Sequence, residues 1–189
     1  MKKILLASII SLSVCGMVNA GEHTVTLGYA QSKVQDFDDI NGVNVKYRYE
    51  WDSPLSIISS FTYMKGDKDM SYRAYRDIIK TKAEVKYYSI SAGPAYRFND
   101  FVSIYGLMGV NVNDVDYSSK WYNADSSSYS YSGTLHSSQT KSTLMYGAGL
   151  QINPVTNLAI DVGYEGSRMD VDGKNYSING FNVGLGYRF

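Results

Sequence analysis

The chain is short of cysteine, proline and histidine, with one, three and two respectively among 189 residues, and it contains no apolar run able to cross a bilayer as a helix. Each shortage excludes something. The run Ile4 to Val14 falls well below the roughly 20 apolar residues a spanning helix needs. It follows Lys2 and Lys3 and precedes Val18-Asn19-Ala20, the small-residue pattern of a cleavage site, so residues 1–20 read as a secretory signal peptide and 21–189 as the mature protein. The only cysteine, Cys15, lies in that signal, and valine in front of it fits a lipoprotein site poorly. The mature chain therefore has no disulfide to hold it together outside the cell. Lys2 and Lys3 leave with the signal, so 18 basic residues become 16 against 18 acidic ones, a balance of −2 that argues against a nucleic-acid partner. Two histidines, His23 beside the mature N-terminus and His136 in a long polar connection, are too few and too far apart for a paired-histidine metal site or a catalytic constellation. The expectation is a protein that is not an enzyme and needs no cofactor.

What the chain does have is tyrosine and glycine, 18 and 17 of them, at a mean hydropathy of −0.25. The average conceals an alternation. At the C-terminus Phe181, Val183, Leu185, Tyr187 and Phe189 share one parity, with Asn182, Gly184, Gly186 and Arg188 between them. A strand built this way has one oily and one wet face. The pattern recurs in Val43, Val45, Tyr47, Tyr49 and Trp51, set against Asn44, Lys46, Arg48 and Glu50, and in six further segments. Eight strands are predicted, at about 23–32, 42–51, 55–64, 82–98, 101–113, 140–152, 158–166 and 176–189. In the fifth, Val102, Ile104, Met108, Val110 and Val112 compete for the apolar face with Tyr105 and Leu107.

Short connections at 52–54, 99–100 and 153–157 alternate with long polar ones at 33–41, 65–81, 114–139 and 167–175. With the export signal, this predicts an all-β fold: an eight-stranded antiparallel transmembrane β-barrel with four long extracellular loops, in the outer membrane, both termini periplasmic. Pro94 has no ladder donor to offer and a closed barrel has no free edge, so a bulge or one unpaired carbonyl is expected there.

The charged residues on the wet faces, Lys46, Arg48, Glu50, Arg97, Asp161, Glu165 and Arg188, should meet in a lumen too narrow for more than its own side chains. An ionic network in place of a hydrophobic core is the favoured reading over an ion path, because a charge buried unpaired is costly. Lys82 and Lys86 share a parity just before the lipid-facing Tyr88. Together with Arg73 and Arg76 they read as contacts to lipopolysaccharide phosphates or as a solvated extension of the strands, and the two are compatible. The connection at 114–139 holds Trp121, Tyr122, Tyr129 and Tyr131 among serines, a composition suited to a binding loop, although such a segment can also extend the strands. Tyr49, Trp51, Tyr96, Phe98, Phe101, Tyr187 and Phe189 fall at the periplasmic strand ends, where an interfacial girdle is expected.

Leu27-Gly28-Tyr29-Ala30-Gln31-Ser32, Lys46-Tyr47-Arg48-Tyr49-Glu50, Ala92 to Asp100, Ser103-Ile104-Tyr105-Gly106, Tyr146-Gly147-Ala148-Gly149 and Gly186-Tyr187-Arg188-Phe189 resemble the Ail/Lom family, which includes OmpX, Rck and PagC. The stretch Glu165 to Met169 looks more like PagC than Ail. The resemblance implies a surface protein of a Gram-negative enterobacterium linked to virulence, through host-cell attachment and invasion, complement resistance or intracellular survival. It implies host cell-surface, matrix or complement-regulator partners, with a structural envelope role binding lipopolysaccharide as the alternative. The strands match and the loops do not, so it carries over no binding residue. Phe189 resembles the terminal aromatic signal read by the outer-membrane insertion machinery.

Overall fold

The computed structural model describes residues 21–35, 38–74, 77–125, 128–171 and 174–189; the expected signal peptide, 1–20, lies outside them. Among the described residues there are eight strands: β1 Glu22–Val34, β2 Asp39–Glu50, β3 Leu55–Ala74, β4 Asp77–Arg97, β5 Val102–Asp125, β6 Ser128–Val155, β7 Leu158–Val171 and β8 Lys174–Arg188. Each pairs antiparallel with the next, and β1 pairs with β8, so the sheet closes on itself. At the seam His23 and Phe189 exchange two backbone hydrogen bonds of 2.8 Å each.

The pairing fixes the size of the barrel. Following opposite partners from Val25 through Tyr47, Ser59, Ala92, Met108, Tyr146, Gly166 and Asn179 returns to β1 at Lys33, eight residues on. Eight strands with a shear of eight imply a tilt near 36° and an interior that side chains alone fill. The apolar parity faces outward: Leu27, Ile90, Met108, Phe181 and Leu185 are each 63% or more exposed. Leu and Phe at that exposure have lipid as their solvent. In β5 the competition resolves cleanly, because Tyr105 and Leu107 point inward and fill the lumen while Ile104, Met108 and Val110 face out.

Tyr49 packs edge-on against Trp51, Tyr96 against Phe98, and Tyr187 stacks on Phe189, forming the girdle at the short-turn end. A second girdle closes the other side of the belt, where Tyr63 packs on Tyr88 and Tyr164 on Tyr146 and Phe181. From Tyr88 to Tyr96 along tilted β4 is an axial distance of roughly 21 Å, close to the ~25 Å apolar band of such barrels.

Two sequence expectations change and a third is narrowed. The sheet consumes most of the connections expected as long loops: β3 and β4 stay paired up to Ala74↔Asp77, and β5 and β6 up to Asp125↔Ser128. Beyond the second girdle β3, β4, β5 and β6 form a four-stranded ribbon reaching roughly 30 Å further, at ~3.3 Å per tilted strand residue. At Pro94 there is no bulge but a lapse in pairing, in line with the second of the two outcomes expected. The β4–β5 ladder omits Gly93 and Pro94 and resumes at Ala95↔Tyr105 in the register it had at Ala92↔Met108. Gly93 is required at this gap, because a Cβ there would collide with the Gly106 carbonyl. Finally, the lumen is not polar throughout. Ala30, Val34, Ile40, Met64, Val85, Tyr87, Val115 and Ile178 form a buried apolar plug at the ribbon end, with Tyr176 against it.

Candidate binding surface and lumen network

Along the barrel axis the inward charges separate into three groups rather than one. At the short-turn end Arg97 and Arg188 both clasp Glu22 and Glu50, and Arg48 approaches Glu50 at 3.4 Å. Arg48 also donates through Nε to Ser56 at 2.9 Å and through Nη1 to Gln151 at 2.8 Å. Bidentate use of a planar guanidinium is what makes arginine suited to a buried fork of acceptors. One level further in, Lys46 Nζ lies 2.5 Å from Asp161 Oδ1 and 2.5 Å from Asn182 Oδ1, and the Tyr105 hydroxyl donates to the same Asp161 oxygen at 2.9 Å. The Lys46 ammonium also sits 5.5 Å from the centre of the Tyr105 ring. Next comes Glu165, which accepts from Thr62 at 2.8 Å, from Tyr87 at 2.7 Å and from Ser89. Three hydroxyl donors stabilise that carboxylate, with no cation in contact among the described residues. The Tyr87 hydroxyl belongs to the Glu165 group and its ring to the plug, so polar and apolar halves of the lumen meet there.

Every plug residue carries the parity opposite to the lipid-facing set of its own strand. Ile178, for example, is even where Phe181, Val183 and Leu185 are odd. A search for apolar residues of the wrong parity would have found them. The reading by alternation passed over them because it counted only the dominant face.

The outer face of the ribbon is banded by charge. Nearest the second girdle, Lys65 and Lys86 both pair with Glu84, at 3.1 and 3.0 Å, and Lys86 also reaches Asp116 at 3.5 Å. Asp67, Glu84 and Asp116 are directly opposite on three neighbouring strands. Hydrogen bonds from Lys86 and Lys65 hold the Glu84 carboxyl below its ordinary range, and the same carboxylate raises Lys86. Lys86 is thus neutralised by protein carboxylates. Further out, Lys82 stands directly opposite Asp69 in the β3–β4 register, and both line a cleft of about 430 Å³ with Ser71, Lys80, Thr81, Ser118 and Lys120. Lys80 stands directly opposite Lys120 in the β4–β5 register, with Lys82 opposite Ser118 on the same face. An oxyanion placed between like charges directly across a ladder is attracted by both.

Of the other expected site residues, Trp121, Tyr122, Tyr129 and Tyr131 belong to β5 and β6 by backbone pairing, near the ribbon's tip, and their side chains lie outside the described residues. Arg73 is on β3, its side chain also outside them, as is all of Arg76. His136 is in β6 opposite Ser118, not in a flexible loop. His23 is at the far end of the barrel, hydrogen-bonded to the Tyr47 hydroxyl and stacked on Phe189. Among the described residues no group of three or more His, Cys, Asp or Glu is placed to hold a metal ion.

Comparison with known proteins agrees with this architecture. The family model described as Enterobacterial Ail/Lom protein matches residues 1–189. The virulence membrane protein PagC of Salmonella typhimurium is 44% identical over the full length of both chains. Outer membrane protein X of Escherichia coli K12 is 39% identical over 97% of this chain and 95% of its own. The crystal structure of Ail, the attachment invasion locus protein of Yersinia pestis, in complex with the heparin analogue sucrose octasulfate, superposes with a TM-score of 0.67 at 34% identity, covering 90% of this chain and all of that one. The chain belongs to the enterobacterial Ail/Lom family and is one of its virulence-associated outer-membrane β-barrels.

Proposed function

We propose that this protein is a non-enzymatic attachment protein of the bacterial surface, whose ribbon faces outward and grips sulfated chains of the host surface through the Lys80, Lys82 and Lys120 cleft. Residues 1–20 act as the export signal, both termini face the periplasm, and Phe189 serves the insertion machinery. The observation that carries the reading is the directly opposed Lys80 and Lys120 on a sheet that continues past the lipid belt. Ail of Yersinia pestis, solved with a sulfated heparin analogue, supports the ligand class. The aromatic tip around Trp121, Tyr122, Tyr129 and Tyr131 then supplies contact area to host protein.

Replacing Lys80, Lys82 and Lys120 together by glutamine should abolish retention of the folded protein on a heparin matrix and lower attachment to cultured cells. Retention at the wild-type salt concentration would sink the proposal. Point variants suit this test better than deleting residues 115–138, which would remove the outer halves of β5 and β6.

One observation favours a second, compatible reading. Lys65 and Lys86 sit immediately above the Tyr63 and Tyr88 pair, at the height of lipid phosphates, where they would contact lipopolysaccharide if Glu84 and Asp116 share them. Alanine at Lys65 and Lys86 that changes lipid retention without changing heparin binding would separate this envelope role from attachment.

A further inference from the structure

The short-turn mouth of the barrel holds more acid than base. A cleft of about 760 Å³ opens there, and its walls include Gly21, Glu22, Glu50, Asp52, Arg97 and Asp100. Four carboxylates thus meet one guanidinium, and Arg48 and Arg188 behind it raise the cations to three. Glu22 stands directly opposite Glu50 in the β1–β2 register, a like-charge pair that is stable only with cations around it. All three arginines approach Glu50 through Oε2. Its other oxygen, Oε1, has no hydrogen-bond partner among the described residues, although Glu50 is only 2% exposed. A buried carboxylate oxygen left unpaired is costly, so the mouth is short of a donor as well as of a charge.

The polar side chains of the two turns are engaged locally. Ser53 accepts from the Leu55 amide, and Asn99 from the amides of Phe101 and Val102. The chain has another donor beside them. Gly21 lines the same cleft at the start of β1, and it lies so close to the Tyr49 ring that a Cβ on it would come within 2.7 Å of ring atoms. While residues 1–20 are attached, its nitrogen is an amide. Cleavage after Ala20 makes it an α-amino group, which is mostly an ammonium at neutral pH. Phe189, at the other end of the chain, already accepts from the His23 amide at the seam.

We propose that the α-ammonium released at Gly21 by signal cleavage is the missing cation of this mouth, docking on Glu50 Oε1 and locking the β1 end of the seam. Four cations then balance four carboxylates, and the last step of export is also the step that closes the barrel's periplasmic end. The inference rests on residues 1–20 being the export signal but not on the lysine cleft. Protein prepared to begin at Gly21 is refolded in phospholipid vesicles beside the same protein acetylated selectively at the Gly21 amine, each with and without Glu50→Gln. The acetylated barrel should unfold in urea about tenfold faster than the free one, and the difference should vanish in Glu50→Gln. An acylating reagent should modify the free amine about tenfold more slowly in the folded barrel than in the urea-unfolded chain, and this reading decides if Glu50→Gln does not fold. Equal unfolding rates with and without the acetyl group, an acetyl effect that persists in full in Glu50→Gln, or full amine reactivity in the folded barrel would overturn the contact. Mass spectrometry of the protein isolated from outer membranes separates the two readings: a mature chain beginning elsewhere than Gly21 overturns the signal boundary and this inference with it, whereas a chain beginning at Gly21 with an indifferent amine overturns the inference alone.

Discussion

Replacing Asp161 by alanine should cost about 4 kcal/mol of barrel stability, and the size follows from its surroundings. Lys46 and Asp161 are 2% and 1% exposed and 2.5 Å apart. At an effective dielectric of about 20 their attraction is ~7 kcal/mol, against a desolvation penalty of several kcal/mol for each ion. The intact pair is therefore worth little net, but removing one member strands the other, a loss of about 3–5 kcal/mol. The Tyr105 hydroxyl loses its acceptor as well, at roughly 1–3 kcal/mol if nothing replaces it. The remaining contact of Lys46 with Asn182 limits the total. The double variant Lys46→Met with Asp161→Leu removes both charges and should lie within about 1 kcal/mol of wild type, or above it. Urea unfolding in phospholipid vesicles, followed by tryptophan fluorescence, measures both. A cost below about 1 kcal/mol for the single variant, or a double variant as unstable as the two singles added, would refute the account of the lumen.

Three further outcomes follow from other parts of the barrel. Ile40→Ala opens the apolar plug at a fully buried position and should cost about 2–4 kcal/mol in the same unfolding assay. Glu84 has a folded-state pKa below its ordinary 4.5, so its contribution is complete above that value and is lost as pH falls through the lowered one; a carbon-detected NMR titration should place its midpoint below 4.5 and return it upward in Lys65→Met/Lys86→Met. Deleting Phe189, whose ring touches only the rings of His23 and Tyr187 among the described aromatic pairs, should lower the yield of inserted barrel in cells several-fold, while protein refolded in detergent loses only about 1–2 kcal/mol.

The lipid-facing half of this fold was legible because lipid demands apolar side chains at every second position, so Leu27, Tyr29, Val183 and Leu185 announce their strands. The ribbon was not. Above the belt both faces of β5 and β6 meet water, and Ser118, Ser119, Ser137 and Ser138 alternate nothing that hydropathy detects, although their backbones pair as regularly as the rest. The individual lumen charges were legible, but not their division into three levels, which depends on the height each strand gives its residue. The basic cleft was hidden for a similar reason. Lys80 and Lys120 are 40 residues apart in sequence and become neighbours only through the β4–β5 register.

The plug has a consequence for the cell that makes this protein. Val34, Ile40, Met64, Val85, Val115 and Ile178 stop the lumen with hydrocarbon just past the last buried carboxylate, so neither ions nor nutrients have a route through it. A barrel sealed in this way adds protein surface to the envelope without adding a leak. Copy number can then rise without making the outer membrane more permeable.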